Sequence, residues 1–370
     1  MSRDESAADT ATRSYLRVQP ATDRLDPATV HTQCRRLHGL VDSQSWIESL
    51  FDRAEHPTIE ICLHSDGTQL EYLVSSTTEA AESTLDTLDR LCHSLFPDSY
   101  AIERVERQPA ALVPPTAAAD TDCHALVCEG RPDRRQDWQT RLTPFEQFQT
   151  DDHARIPLAT VVETMAATDV PMVYQVLIQP YPDWTAAADD RRAAIEAGQD
   201  TLGGQLLTSL TGLEAPTADA DPTREGTGAA DALPASDRSR LESIDAKDAT
   251  RSFVVNARLV AATGDDDGSA DPLAELTAAF SECAGPHYGL AMRRLDGDAA
   301  AAVATAVRER TVDPPTYESM RARLPGTSVR SRGLIVDAAA LGSFCVLDGT
   351  ALPTASRRAL DVTPADRAPQ

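Results

Sequence analysis

The spacing of apolar positions changes several times along the chain, and each change predicts an element. Asp26-Pro27 places an acid at a helix N-cap and proline at the first helical position, and Val30, Leu37, Leu40 and Val41 then recur at helical spacing. A short second helix is expected around Trp46, Leu50 and Phe51. From Pro57 the period falls to two. Ile59, Ile61 and Leu63 alternate with Glu60 and Cys62, a Ser65-Asp66-Gly67 turn follows, and Leu70, Tyr72 and Val74 resume, which predicts a β-hairpin. Glu79 to Leu95 carries Leu85, Leu88, Leu91, Cys92 and Leu95 on one helical stripe, and Phe96-Pro97-Asp98 ends it before a strand from Tyr100 to Val105.

Further strands are predicted at Ala125–Cys128 and Met172–Ile178, a helix at Pro157–Ala167, and a long polar helix from Thr185 to Leu210. Phe253–Val260, Pro272–Phe280 and Tyr288–Leu295 then read strand, helix, strand, followed by an Ala/Val helix at Ala299–Arg310, a strand at Leu334–Val336 and a helical turn with Leu341 and Phe344. The pattern implies an α+β fold of mixed or antiparallel sheets with helices on one face, built from ferredoxin-like units. Residues 1–24 are expected to be a disordered tail in which Tyr15–Val18 adds at most an edge strand. Residues 25–210 are expected to form an α+β domain, 211–245 a disordered acidic linker, 246–360 a smaller α/β unit and 361–370 a polar tail.

Composition narrows the setting. A chain of 370 residues with 41% hydrophobic residues can bury real cores, and 5% aromatics with abundant alanine make those cores lightly packed. The formal net charge is -24, and Lys247 is the single lysine. Acid-rich, lysine-poor composition is what a multimolar-salt cytosol favours, so a halophilic, archaeal, cytoplasmic protein is expected. At such ionic strength the Debye length falls to about 3 Å, so only local arginine clusters steer binding. No window approaches the ~18 apolar residues of a bilayer span. The seven cysteines (34, 62, 92, 123, 128, 283 and 345) are scattered with no Cys-x-x-Cys, as reduced core residues are.

The candidate chemistry is sparse. Lys247 follows no glycine-rich run, so it forms no phosphate loop. His31, Cys34 and His38 share a helical face, but no second element supplies converging ligands. Cys123 and Cys128 flank His124 on a strand whose alternation sends the two thiols to opposite faces. Cys283 and His287 are separated by Gly285-Pro286, which makes them a poor nucleophile and base. Asp265-Asp266-Asp267-Gly268 lacks the spacing of a calcium loop, and neither Gly203-Gly204 nor Gly226-Thr227-Gly228 follows a strand as a dinucleotide site requires. Arginine groups stand at 35/36, 131/134/135, 191/192, 293/294, 330/332 and 357/358, each able to meet a phosphate or a partner's carboxylate. The expectation is therefore no catalytic, cofactor-binding or metal residue, no cofactor, and no direct nucleic-acid site.

Three stretches carry a family likeness. Thr58–Leu63 through Leu91–Pro97, Val173–Pro180 with Asp183-Trp184-Thr185, and Leu341–Gly349 with Ala359–Pro364 resemble the region preceding the motor domain of haloarchaeal conjugation ATPases of the HerA/FtsK-like type IV secretion group. In that family the nucleotide-binding core begins shortly after the position of Thr363-Pro364, and the chain ends at Gln370. The resemblance implies a non-catalytic accessory domain without its motor, either a split subunit or a gene remnant. It would dock onto a HerA/FtsK-like ATPase subunit, another transfer-complex protein or a second copy, at the periphery of a membrane-associated complex. The competing expectation is a small-molecule enzyme or ligand-binding protein with a pocket between the two units.

Overall fold

The computed structural model describes residues 12–42, 58–77, 81–114, 121–150, 155–198, 233–264, 272–317 and 329–362. The helix expected near Trp46, the Asp265–Gly268 loop, and the glycine pairs at 203/204 and 226/228 lie outside them. The described residues form one nine-stranded sheet in which every pairing is antiparallel.

The first half runs β1 (Arg13–Gln19), α1 (Pro27–Asp42), β2 (Ile59–Ser65), β3 (Leu70–Ser76), α2 (Ala81–Leu95) and β4 (Ala101–Arg107). Its strands lie in the order β4-β1-β3-β2, the ferredoxin-like arrangement of a β-α-β-β-α-β chain. Local chemistry sets its joints as predicted. The Asp26 carboxylate accepts from Thr29 N (3.0 Å) and caps α1. Asp66 Oδ1 accepts from the backbone N of Thr68 and Gln69 while Gly67, at φ +94°, closes the hairpin.

The second half repeats the plan. It comprises β5 (Thr121–Pro132), α3 (Phe145–Thr150), α4 (Pro157–Ala166), β6 (Met172–Pro180), α5 (Thr185–Glu196), α6 (Ala235–Asp245), β7 (Ser252–Gly264), α7 (Pro272–Ala279) and β8 (Tyr288–Asp296). Its strands lie β6-β7-β5-β8, the first order reversed, and the halves join where β2 pairs β6 from Ile59↔Ile178 to Ser65↔Met172. The result is a tandem pair of ferredoxin-like units fused edge to edge.

This topology moves the expected boundaries. β1 lies inside the sheet between β4 and β3, so residues 13–19 are neither tail nor edge strand; Leu16 and Val18 supply core on one face and Tyr15 on the other. The expected division at 211–245 does not separate two sheets, because β7 lies between β6 and β5. That stretch falls in the β6–β7 connection of the second unit, where the first unit has only the Asp66–Gln69 turn, and its described part includes the helix α6.

The first face of the sheet carries the main core, with α1, α2, α4 and α7 laid over it. The C-terminal elements β9 (Leu334–Asp337), α9 (Ala338–Cys345) and α10 (Thr354–Ala359) complete it. α9 is buried along its length, and its last carbonyls are met from both units: Tyr72 Oη donates to Cys345 O (2.5 Å) and Tyr174 Oη to Phe344 O (3.1 Å). On the second face α8 (Gly297–Glu309) lies mainly over β5, β7 and β8, and its Val303, Ala304 and Val307 join one apolar cluster with Val127, Val173 and Val260 and with Cys62 and Leu73 of the first unit. Burying each valine there contributes about 1.5–3 kcal/mol.

Candidate functional site

Alternation along β5 points Val127, Glu129 and Arg131 to the second face, and the register sets them opposite Arg293, Ala291 and Gly289 of β8. Gly130 also bridges to Ser331 (N to O, 2.8 Å), which carries Arg330 to the same place. Arg293 Nη1 stands 3.4 Å from Glu129 Oε1 and Arg330 Nη1 3.8 Å from Oε2. Glu129 is buried, and its Oε2 lacks a hydrogen-bond partner among the described residues. Arg131 is exposed and no described side chain pairs with it. Arg293 and Arg330, from separate sequence clusters, thus flank one carboxylate from either side of β5, with Arg131 two residues along the same face, so three cations accompany one carboxylate on a chain of net charge -24.

Elsewhere buried charge is closed on itself. Across the β2–β6 seam, Glu60 accepts from Gln175 Nε2 and from Arg310 Nε, both at 2.5 Å, and Arg310 also donates to Tyr15 Oη. Gln175 Oε1 accepts from Arg258 Nε (2.9 Å), and Arg258 donates onward to Thr311 O (2.8 Å). Burial disfavours the Arg310 cation, yet Glu60 holds its pKa above the ordinary value; burial pulls Arg258 down to about 10. The left-handed Arg310 (φ 57°) ends α8 here, so the network fastens that helix terminus to the sheet.

Lys247, after α6, is buried among Trp138, Trp184 and Tyr288, with Nζ 5.2 Å from the Tyr288 ring centre. Nζ donates to Trp138 O (2.5 Å) and Ile335 O (2.8 Å). Desolvation pulls the amine down to about 7, against a smaller opposing effect of Asp337, whose own carboxyl burial pushes up. Two of the chain's three tryptophans enclose its single lysine. Sequence spacing gives no sign of this, because the contacts join residues about 40 to 110 positions apart.

The other candidates separate. His31 is exposed, Cys34 lies in the core, and buried His38 meets Tyr181 O (3.3 Å); among the described residues no His, Cys, Asp and Glu group is placed to hold a metal. Cys123 and Cys128 fall in cores on opposite faces, as alternation requires. Cys283 is buried beside Ser343, its thiol pushed well up by burial, whereas His287 meets Ser239 Oγ through Nε2 (3.0 Å). Asp133 Oδ2 lies 3.6 Å from His287 Nδ1, completing a Ser-His-Asp line that the Cys-His spacing did not suggest. Arg191 is buried against Asp137 (3.3 Å), and Arg192 pairs with Asp189 and with Asp245 (2.6 Å). Cys34, Cys92 and Cys345 line an apolar cavity of about 40 Å³ between α1, α2 and the sheet.

Fold and site together define an α+β protein of paired ferredoxin-like units with an arginine-flanked sheet edge. The sequence matches no family model and no curated protein.

Proposed function

We propose that the chain is a non-catalytic docking domain of a DNA-transfer machine, holding a HerA/FtsK-like ATPase subunit or another transfer-complex protein in a salt-rich archaeal cytoplasm. The observation that carries the docking reading is the placing of Arg293 and Arg330 on Glu129, with Arg131 on the same face of β5, next to β8, whose outer edge no described strand covers. Bidentate arginine–carboxylate contacts survive screening that abolishes long-range steering. The DNA-transfer setting is supported by the resemblance of the 58–97, 173–185 and 341–364 stretches to the pre-motor region of those ATPases. The test is capture of the tagged chain from a multimolar-salt lysate of its own cells. A motor or transfer component should be recovered with the wild type and lost with Arg131→Glu/Arg293→Glu; recovery of none overturns the proposal.

A second reading, hydrolase chemistry, is favoured by the Ser239–His287–Asp133 line, in which His287 Nε2 stands in place to take the serine proton. A fluorophosphonate probe would label Ser239 in the wild type and not in Ser239→Ala. Absence of labelling removes this reading.

A further inference from the structure

The two ends of the sheet are equivalent in the repeated plan, since β4 and β8 are each the fourth strand of their unit, yet their chemistry differs. β4, Ala-Ile-Glu-Arg-Val-Glu-Arg, has three of its four charges paired: Glu103 with Arg17, Arg104 with Asp86, and Arg107 with Glu71. Ion-paired, charged edges resist strand addition. β8 is different. Its central Gly-Leu-Ala-Met run carries no charge, it pairs with β5 alone, and among the described residues no further backbone bond reaches residues 289–296. Gly289 and Ala291 leave the second face low beside Arg293 and opposite Arg131, while Arg330 reaches Glu129 from the far side of β5.

Building on the docking reading, we infer that β8 takes an extended acidic segment of a partner protein as a tenth strand, its alternate carboxylates lying along the second face against Arg293 of β8 and Arg131 of the next strand. Period two explains the fit: in an added strand every second side chain points to that face. Charge selects the occupant. A second copy paired through β8 would bring two like-charged arginine rows side by side, which is unfavourable, whereas carboxylates every second residue would be complementary.

The experiment uses the full chain in multimolar salt with a blocked ten-residue peptide alternating Glu and Val, and a Lys/Val peptide of equal length as control, read by hydrogen–deuterium exchange. The Glu/Val peptide should slow exchange of β8 amides at least about fivefold, leave β4 unchanged, and lose at least about tenfold in affinity on Arg131→Glu/Arg293→Glu, while the Lys/Val peptide protects nothing. Circular dichroism shows whether the double variant is folded, and Arg131→Gln, at an exposed unpaired position, supplies a mild second variant with a smaller loss. No protection at β8, protection at β4, equal effect of the two peptides, or concentration-dependent β8 protection without peptide overturns the inference. If a transfer component co-purifies while these peptide outcomes fail, the β8 mode falls and the docking reading stands; if none co-purifies, both fall.

Discussion

At the scale of single residues, Lys247 and Glu60 show what burial does to charge. The Lys247 pKa falls from 10.5 to about 7, so between those values the unfolded chain binds the extra proton and folding gains stability as pH rises. The cysteines oppose this at higher pH: burial pushes Cys34, Cys92 and Cys128 up to about 12 from 9.0, and the stability they contribute is lost as pH rises through that interval. The lysine is therefore isolated below about pH 8.5. The stability difference between wild type and Lys247→Met should grow by about 1.5 kcal/mol from pH 7 to 8.5 in denaturant titrations at fixed salt. Because the chain has one lysine, ¹⁵N-lysine labelling gives one Nζ signal, expected to titrate near 7; a midpoint near 10.5 contradicts the buried cation. Glu60→Gln strands the buried Arg310 guanidinium and should cost about 3–5 kcal/mol by denaturation. Replacing both partners with apolar residues should cost less than the sum of the single changes.

At the scale of elements, β5 is positioned as much by what passes behind it as by its ladders. A Cβ on Gly130 would stand 2.7 Å from Tyr288 Oη and also meet Tyr317 Oη, whose hydroxyls bond each other at 2.6 Å in the core. Neither ring has room to move, so Gly130→Ala should cost about 1–3 kcal/mol in chemical denaturation and loosen the Gly130–Ser331 bridge that brings Arg330 to Glu129. The hairpin turn, the cap of α1 and most strand centres were legible, since each rests on neighbours within a few residues. The Arg131–Arg293–Arg330 gathering was legible only as three unrelated clusters. Its geometry comes from the β5–β8 register and one isolated bridge, neither of which leaves a local signature.

At the scale of the whole molecule, the second unit completes the first. β6 pairs β2, Arg310 at the end of α8 bonds Glu60 and Tyr15 of the first unit, and α9 ends on tyrosine hydroxyls from each. Residues 1–210 and 246–360, expressed apart, should therefore each lack a cooperative unfolding transition, while the full chain shows one. A sharp transition from the 246–360 fragment alone would contradict a shared core, since that fragment lacks β5 and β6, the neighbours of β7.

The sequence by itself determined the α+β class, the placement of most helices and strands, the opposite facing of Cys123 and Cys128, and the absence of a phosphate loop around Lys247. These follow from periodicity, capping and motif spacing, which are local. Only the tertiary structure decided that two ferredoxin-like units share one sheet, that β1 lies inside it, that Lys247 is enclosed by aromatic rings, and that arginines of three clusters are brought to β5 around Glu129. Those outcomes depend on strand order and register across long separations, where the energy lies in burying both faces of a common sheet.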